Sequence, residues 1–274
     1  MRLEPNYIFY QFTSWCNSRC ETCHLWAAPK ETIPVEITDR MPIFFDPEPI
    51  HSVYLTGGEP LLSPLCVATA ESLNRWKPGV RLISSTNGIS PDLYLPRVQA
   101  MLDRGITIRF QVSLNGLEET HDKSRGVVGN YRNAIKMADG LHGMGVLASL
   151  NILMIPNVTT SADLQHLYDL GRKYEVPIWS SPVLRHNPWF GEEDDGAKVR
   201  LIQNCCGGTR ALAVRFNGDI TACQEPRPDL VFGNLRDDGL DPARVEFCQN
   251  VVRTRRCQPC GCCTNAFSEG MFVS

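Results

Sequence analysis

Six short runs rich in apolar and β-branched residues constrain this chain more than any other feature: Tyr7–Ser14, Ser52–Thr56, Val80–Thr86, Ile106–Leu114, Val146–Ile155 and Pro177–Val183. Each reads as a strand, with helical patterns between them. Tyr131, Ala134, Ile135, Ala138 and Leu141 follow a three/four spacing that stops at Gly143 and Gly145, as in a helix with one apolar face. A further helix begins at Thr160. Asp163 completes a capping-box variant there, and Leu164, Leu167 and Tyr168 share one face. Strands alternating with helices predict βα units and a parallel sheet. Ligands of such folds sit in the loops at the carboxyl ends of the strands.

The pattern changes after the sixth run. Asn187–Gly196 is a polar, turn-rich connection containing Trp189 and the acidic stretch Glu192–Asp195, read as a solvated turn. Beyond it, short strands at Ala211–Phe216 and Ile220–Cys223 flank Asn217-Gly218, a preferred hairpin dipeptide. The chain therefore divides into residues 1–190 and 191–274, and the second part is too short for a large core of its own. That part holds eight of the 12 cysteines; three more are Cys16, Cys20 and Cys23, and Cys66 stands alone, read as a core residue on a helix. The N-terminus lacks a signal-peptide stretch, and no apolar run reaches the ~18 residues that span a bilayer. A cytoplasmic location with no membrane partner is expected, and in that compartment thiols more often mark metal than crosslinks. Lys+Arg 27 against Asp+Glu 30, with no basic stripe, disfavours nucleic acid as a partner.

Cys16-Asn-Ser-Arg-Cys20-Glu-Thr-Cys23 places three thiols in the loop after the first strand. Thiolates suit iron–sulfur clusters and zinc; a closed zinc site would need a fourth ligand such as His24. The C-x3-C-x2-C spacing resembles the signature of the radical S-adenosylmethionine (SAM) superfamily. There the three cysteines hold a [4Fe–4S] cluster whose fourth iron chelates SAM. Leu55-Thr-Gly-Gly-Glu-Pro60 then resembles the family's GGEP motif, which implies that Gly57, Gly58 and Glu59 meet the SAM methionine amino group. Two glycines permit close backbone approach, and a carboxylate pairs with an ammonium. Ser84-Ser-Thr-Asn-Gly88 and Val112-Ser-Leu-Asn-Gly116, followed by His121 and Arg125-Gly126, resemble further family segments. The likeness implies cofactor contacts by Ser85, Asn87, Ser113 and Arg125, and by Asn151 on a later strand that exits through Asn157. For Ser85, Asn87, His121 and Asn151, turn or strand-end hydrogen bonding is an equal reading. The chain departs from the family at Thr22, where an aromatic is usual, and at Asn115, where Asp is common.

The resemblance implies a partial (β/α)6 TIM-like barrel of the α/β class followed by a small C-terminal cluster-binding extension of the SPASM/twitch type. Cys205-Cys206, Gly218-x4-Cys223, Phe232-Gly-Asn-Leu235 and Cys257-x2-Cys260, with Cys262-Cys263 beyond, resemble that extension. Cys206 (or Cys205), Cys223, Cys257 and Cys260 (or Cys263) would ligate an auxiliary [4Fe–4S] cluster; a zinc ribbon on the same thiols is the competing reading. A flavodoxin or ferredoxin-type reductant would then feed SAM cleavage to a 5′-deoxyadenosyl radical. The short length suggests a small polar substrate, a sugar or aminocyclitol, as in the small twitch dehydrogenases and epimerases of aminoglycoside biosynthesis. Dehydrogenation would pass an electron to the auxiliary cluster. Epimerisation would need a thiol hydrogen donor, for which Cys248 is the candidate, although a buried packing role is its common alternative. Trp179 and Trp189 could line the substrate or pack in the core. Modification of a ribosomal peptide, and a non-catalytic iron–sulfur or zinc protein, are the other function classes.

Overall fold

The computed structural model describes residues 1–23, 25–182, 207–223 and 230–254. Six parallel strands run in order across one sheet: β1 (Tyr7–Thr13), β2 (Ser52–Gly57), β3 (Arg81–Thr86), β4 (Ile108–Ser113), β5 (Leu147–Met154) and β6 (Ile178–Pro182). Each lies within two residues of its sequence-based range. Buried strands of a parallel sheet read as continuous apolar runs, which makes them legible. Helices fill the crossovers: α1 (Val35–Thr38), α2 (Met41–Phe44), α3 (Cys66–Trp76), α4 (Pro91–Leu102), α5 (Glu118–Arg125), α6 (Asn130–Gly143) and α7 (Ser161–Tyr174). The Thr160 hydroxyl accepts from the Asp163 N–H, and the Asp163 carboxylate accepts from the Thr160 N–H, so the expected capping box opens α7.

The hairpin follows as β7 (Ala211–Val214) and β8 (Asp219–Thr221), with β9 (Val231–Asn234) and α8 (Pro242–Thr254) completing the described chain. β7 pairs in parallel with β1, so the nine strands form one sheet in the order β6-β5-β4-β3-β2-β1-β7-β8-β9. Leu212, Val214, Ile220, Phe232, Leu235 and Val245 belong to the same core cluster as the barrel residues. The late strands thus share the barrel's core. The boundary expected at 190/191 lies outside the described residues.

Strand pleating sorts the side chains. Ile8, Tyr10, Phe12, Val53, Leu55, Phe110, Val112, Leu150 and Ile152 form the main core with the helices. The opposite, inner face carries a separate cluster of Tyr7, Phe9, Tyr54, Ala211 and Ala213, joined by Ile83. Further along the same strands that inner face turns polar, and there the sheet meets the cysteine loop. No helix among the described residues is long and apolar enough to cross a membrane.

Candidate cofactor site at the barrel mouth

The loop after β1 is held from three sides before any metal is considered. At the end of β2, Gly58 N–H donates to Thr13 O (2.8 Å) and Glu59 N–H to Trp15 O (2.6 Å). A Cβ on Gly58 would lie 2.1 Å from Trp15 O, and one on Gly57, at φ +140°, 2.1 Å from Thr13 O. The two glycines therefore let β2 press against the backbone that leads into Cys16. At the end of α5, Arg19 N–H and the Ser18 hydroxyl both donate to Arg125 O (2.9 and 3.0 Å). Gly126, in the left-handed region, closes onto Arg19 O. From the β3–α4 side, the Asn87 amide and the Tyr94 hydroxyl donate to Asn17 Oδ1 (2.9 and 3.2 Å).

Cys16, Cys20 and Cys23 line one pocket of about 480 Å³, counting the part open to solvent. Gly57, Gly58, Glu59, Ser85, Asn87, Ser113 and Arg125 line it too. Donors approach the sulfurs: Ser18 N–H to Cys16 Sγ (3.5 Å), Asn87 Nδ2 to Cys16 Sγ (3.8 Å) and Arg125 Nη1 to Cys20 Sγ (3.6 Å). Burial pushes the Cys16 thiol up to about 12, so a bound cation is what would hold it as thiolate. Among the described residues no three His, Cys, Asp or Glu side chains converge on one metal ion. Thiols ringing a pocket, with N–H groups aimed at sulfur, fit a polynuclear cluster in which each cysteine takes a different iron. His24 lies outside the described residues.

Glu59 is buried and works inward. Its carboxylate accepts from Asn87 N–H (2.6 Å) and Leu61 N–H (3.1 Å), pinning the ends of β3 and β2 together. Burial raises its pKa to about 7, against the lowering effect of those bonds and of Arg125. Arg125 Nη2 reaches Asn115 Oδ1 (3.4 Å), and its Nε is buried with no partner. Asn115 is where the family commonly has Asp, and its amide explains the difference. Nδ2 donates to Ser124 Oγ (2.9 Å), whose own proton goes to His121 O, while Oδ1 accepts from Leu153 N–H. A carboxylate could not make the first of these bonds. His121, on α5, holds the strand end: its Nδ1 accepts from Asn115 N–H (3.0 Å), and burial lowers its pKa to about 3.

Four other residues stand in the pocket wall: Ser18 and Thr86 fall inside motif segments, whereas Leu25 and Trp26 carried no sequence signal. Trp26 places an aromatic wall where Thr22 has none; its Nε1–H donates to Cys20 O (3.2 Å), and Arg19 lies over its ring. Asn151 is not in the pocket wall; it stands on the inner face of β5, its Nδ2 donating to Gln111 Oε1 (3.1 Å). Asn157 occupies a left-handed turn at φ +62°.

Cys248 is not brought to the pocket. It is fully buried in the main core on α8 against β9, its Sγ donating to Val231 O (3.5 Å), which is the packing position named as its alternative reading. Cys66 is likewise a core residue at the start of α3. Of the auxiliary ligands only Cys223 is described; Cys205, Cys206, Cys257, Cys260, Cys262 and Cys263 lie outside the described residues, as do Trp189 and Glu192–Asp195.

The fold and the three-thiol mouth define a barrel enzyme built around an iron–sulfur cluster. Residues 10–170 match the Radical SAM superfamily, and the chain belongs to it. Membership implies a [4Fe–4S] cluster and SAM, which the donor set above fits. Among curated relatives, the chain is similar to the GTP 3′,8-cyclase of Microcystis aeruginosa, 26% identical over 81% of this chain and 70% of that protein. It is 34% identical over 35% of its length to human molybdenum cofactor biosynthesis protein 1, and that match spans only 16% of the human protein. Among solved structures, Streptococcus suis SuiB bound to precursor peptide SuiA superposes with a TM-score of 0.70 at 14% identity, covering 94% of this chain and 69% of SuiB.

Proposed function

We propose that this chain takes a hydrogen atom from a C–H bond of a small polar substrate in the barrel lumen, and that the reacting carbinol carbon is oxidised rather than inverted. The observation that carries this reading is one pocket in which Cys16, Cys20 and Cys23 face Arg125 and Glu59 and which shares Ser85 and Ser113 with the polar inner face. When bound, the cluster and SAM would supply the radical that removes the hydrogen atom, and an auxiliary cluster would accept the electron left on carbon as the carbinol hydroxyl gives up its proton to solvent. The protein's own part is positioning and exclusion of water. Arg125, with a buried unpartnered Nε, offers a planar cation to the SAM carboxylate. Glu59 fixes the two strand ends that flank the cofactor. A flavodoxin or ferredoxin-type donor would provide the initiating electron.

Two observations support the further choices. Cys248 is enclosed in the core, so inversion through that thiol has no geometric support. Gly208, Ala222 and Val252 meet, a Cβ on Gly208 lying 2.7 Å from Val252 Cγ2 and 3.2 Å from Ala222 Cβ. They stand, in sequence, two residues after Cys206, one before Cys223 and five before Cys257, which supports reading those thiols as one ligand set. The name of the GTP 3′,8-cyclases describes reaction on a small polar molecule, which favours that class over a peptide.

The test is iron and sulfide per chain after anaerobic reconstitution, with 5′-deoxyadenosine formation under dithionite. Wild type should hold about eight irons, falling to about four when Cys16, Cys20 and Cys23 are replaced by Ala. About four falling to none, with zinc in the C-terminal part, would remove the auxiliary cluster and oxidation by this route.

A further inference from the structure

The lumen just inside the cofactor pocket carries polar groups that the described protein does not engage. Ser85 pairs with Gln111, Ser113 with Asn151, and Asn151 with Trp179, so all five side chains share the inner face. A short ladder orders Gln111 and Asn151 together with Ser149. Ser149 Oγ donates to Asn151 Oδ1 (2.9 Å), and Asn151 Nδ2 donates to Gln111 Oε1 (3.1 Å). The ladder uses the Gln111 oxygen and leaves Gln111 Nε2 with no acceptor among the described residues, on a side chain of a residue only 8% exposed. Trp179, partly buried on β6 two strands from Gln111 and paired with Asn151, belongs to neither core cluster and has no hydrogen-bond or ring partner among the described residues.

The chemistry of this face is specific in what it offers. At the height of Gln111 the inner-face groups of β1 to β5 are amides and hydroxyls, with Gln11 and Thr56 completing the set by register with each other, while Arg215, just past the end of β7, lies over the Phe216 ring. Arg109 lies one step deeper, donates to Leu147 O (2.9 Å) and is exposed toward the amino ends of the strands. A buried anion without a cation beside it is costly, whereas a hydroxyl is satisfied by one amide donor. An indole presents a flat apolar face that suits the C–H side of a saturated ring.

Resting on the function proposed above, we propose that Gln111, fixed by Asn151 and Ser149, and Trp179 form the subsite that reads an uncharged, hydroxyl-bearing ring. The Gln111 amide donates to a ring hydroxyl and the Trp179 indole covers the C–H face. The subsite makes these two residues determinants of specificity, with no role in the chemistry itself.

Saturation-transfer NMR on the full chain, reconstituted with iron, sulfide and SAM, tests this with myo-inositol and methyl glucoside as neutral rings. myo-Inositol 1-phosphate and acetyl-triglycine amide serve as the charged and peptide probes. Transfer to the ring protons of a neutral probe is expected, weakened about tenfold in Gln111→Leu, the loss of one good hydrogen bond. Trp179→Ala should weaken it comparably and Trp179→Phe much less. Should Gln111→Leu fail to fold, Gln111→Glu keeps the shape while replacing the free donor by an acceptor, and the same loss is expected. Neutral rings that do not bind, that bind all variants equally, or that bind more weakly than the phosphate ester or the peptide would overturn the proposal. Absence of 5′-deoxyadenosine from wild type would instead remove the enzymatic reading, because ring binding is measured without turnover.

Discussion

Gly58 is the position at which a single methyl group should disable the cysteine loop. Its Cβ would stand 2.1 Å from Trp15 O, 2.5 Å from Trp15 C and 2.7 Å from Ser14 O, all backbone atoms that cannot swing aside. The Trp15 carbonyl must retreat by more than 1 Å to reach the 3.4 Å of ordinary contact. That retreat breaks the 2.6 Å bond from Glu59 N–H and strains the 2.8 Å bond from Gly58 N–H to Thr13 O. Overpacking costs about 1–3 kcal/mol, and two opened backbone bonds about 1 kcal/mol each, so Gly58→Ala should lose about 3–5 kcal/mol. Trp15 immediately precedes Cys16, so iron uptake should fall with stability. Urea denaturation of the metal-free chain gives the first quantity and iron per chain after reconstitution the second. Gly143→Ala is the control: Gly143 ends α6 with nothing within 4 Å of its Cβ, and a change within about 1 kcal/mol is expected. A loss under about 1 kcal/mol at Gly58, with wild-type iron, would refute the clamp.

The Glu59 pKa of about 7 stands above its ordinary 4.5. The folded state therefore keeps a proton that the unfolded chain releases, and this contribution to stability is full below about 4.5 and lost as pH rises toward 7. Urea midpoints of the metal-free chain should show that fall in wild type and not in Glu59→Gln, which should also be weaker at every pH because an amide cannot accept both backbone bonds; an unchanged slope would count against it. Cys248→Ala should cost about 1–2 kcal/mol as a small core cavity and leave product formation intact. Selective loss of product, with normal 5′-deoxyadenosine release, would restore the thiol as a donor.

The barrel was legible because each β-strand is buried on its helix-facing side and carries an apolar signal of its own. The capping box at Thr160 and the hairpin at Asn217-Gly218 were legible for the same reason, since their partners lie within three or four residues. The late strands read as an appendage because nothing in Ala211–Val214 announces parallel pairing with Tyr7–Tyr10. Small alanines facing Tyr7 and Phe9 make sense only once the two strands are adjacent. Asn17, Tyr94, Trp26 and the contact of Gly126 with Arg19 escaped notice because the contacts of Asn17 and Gly126 cross 70 or more residues of sequence. Trp26 is close in sequence to the cysteines, but its role depends on a turn that brings its indole back to Cys20 O.

These contacts change what the motif segments do. Gly-Gly-Glu reads as a cofactor cradle, yet its glycines meet Thr13 and Trp15 and its carboxylate meets Leu61 and Asn87. Arg-Gly likewise uses its backbone and its missing Cβ on the cysteine loop as much as its guanidinium on the pocket. Three elements far apart in sequence thus fix the loop through bonds that need no metal. The ordering entropy of the loop is then met by folding of the barrel rather than by cluster binding. A loop organised in this way should accept iron and sulfide after the barrel has folded. Loss of iron on mutation at these positions therefore reports the clamp first and contact with the cofactor second.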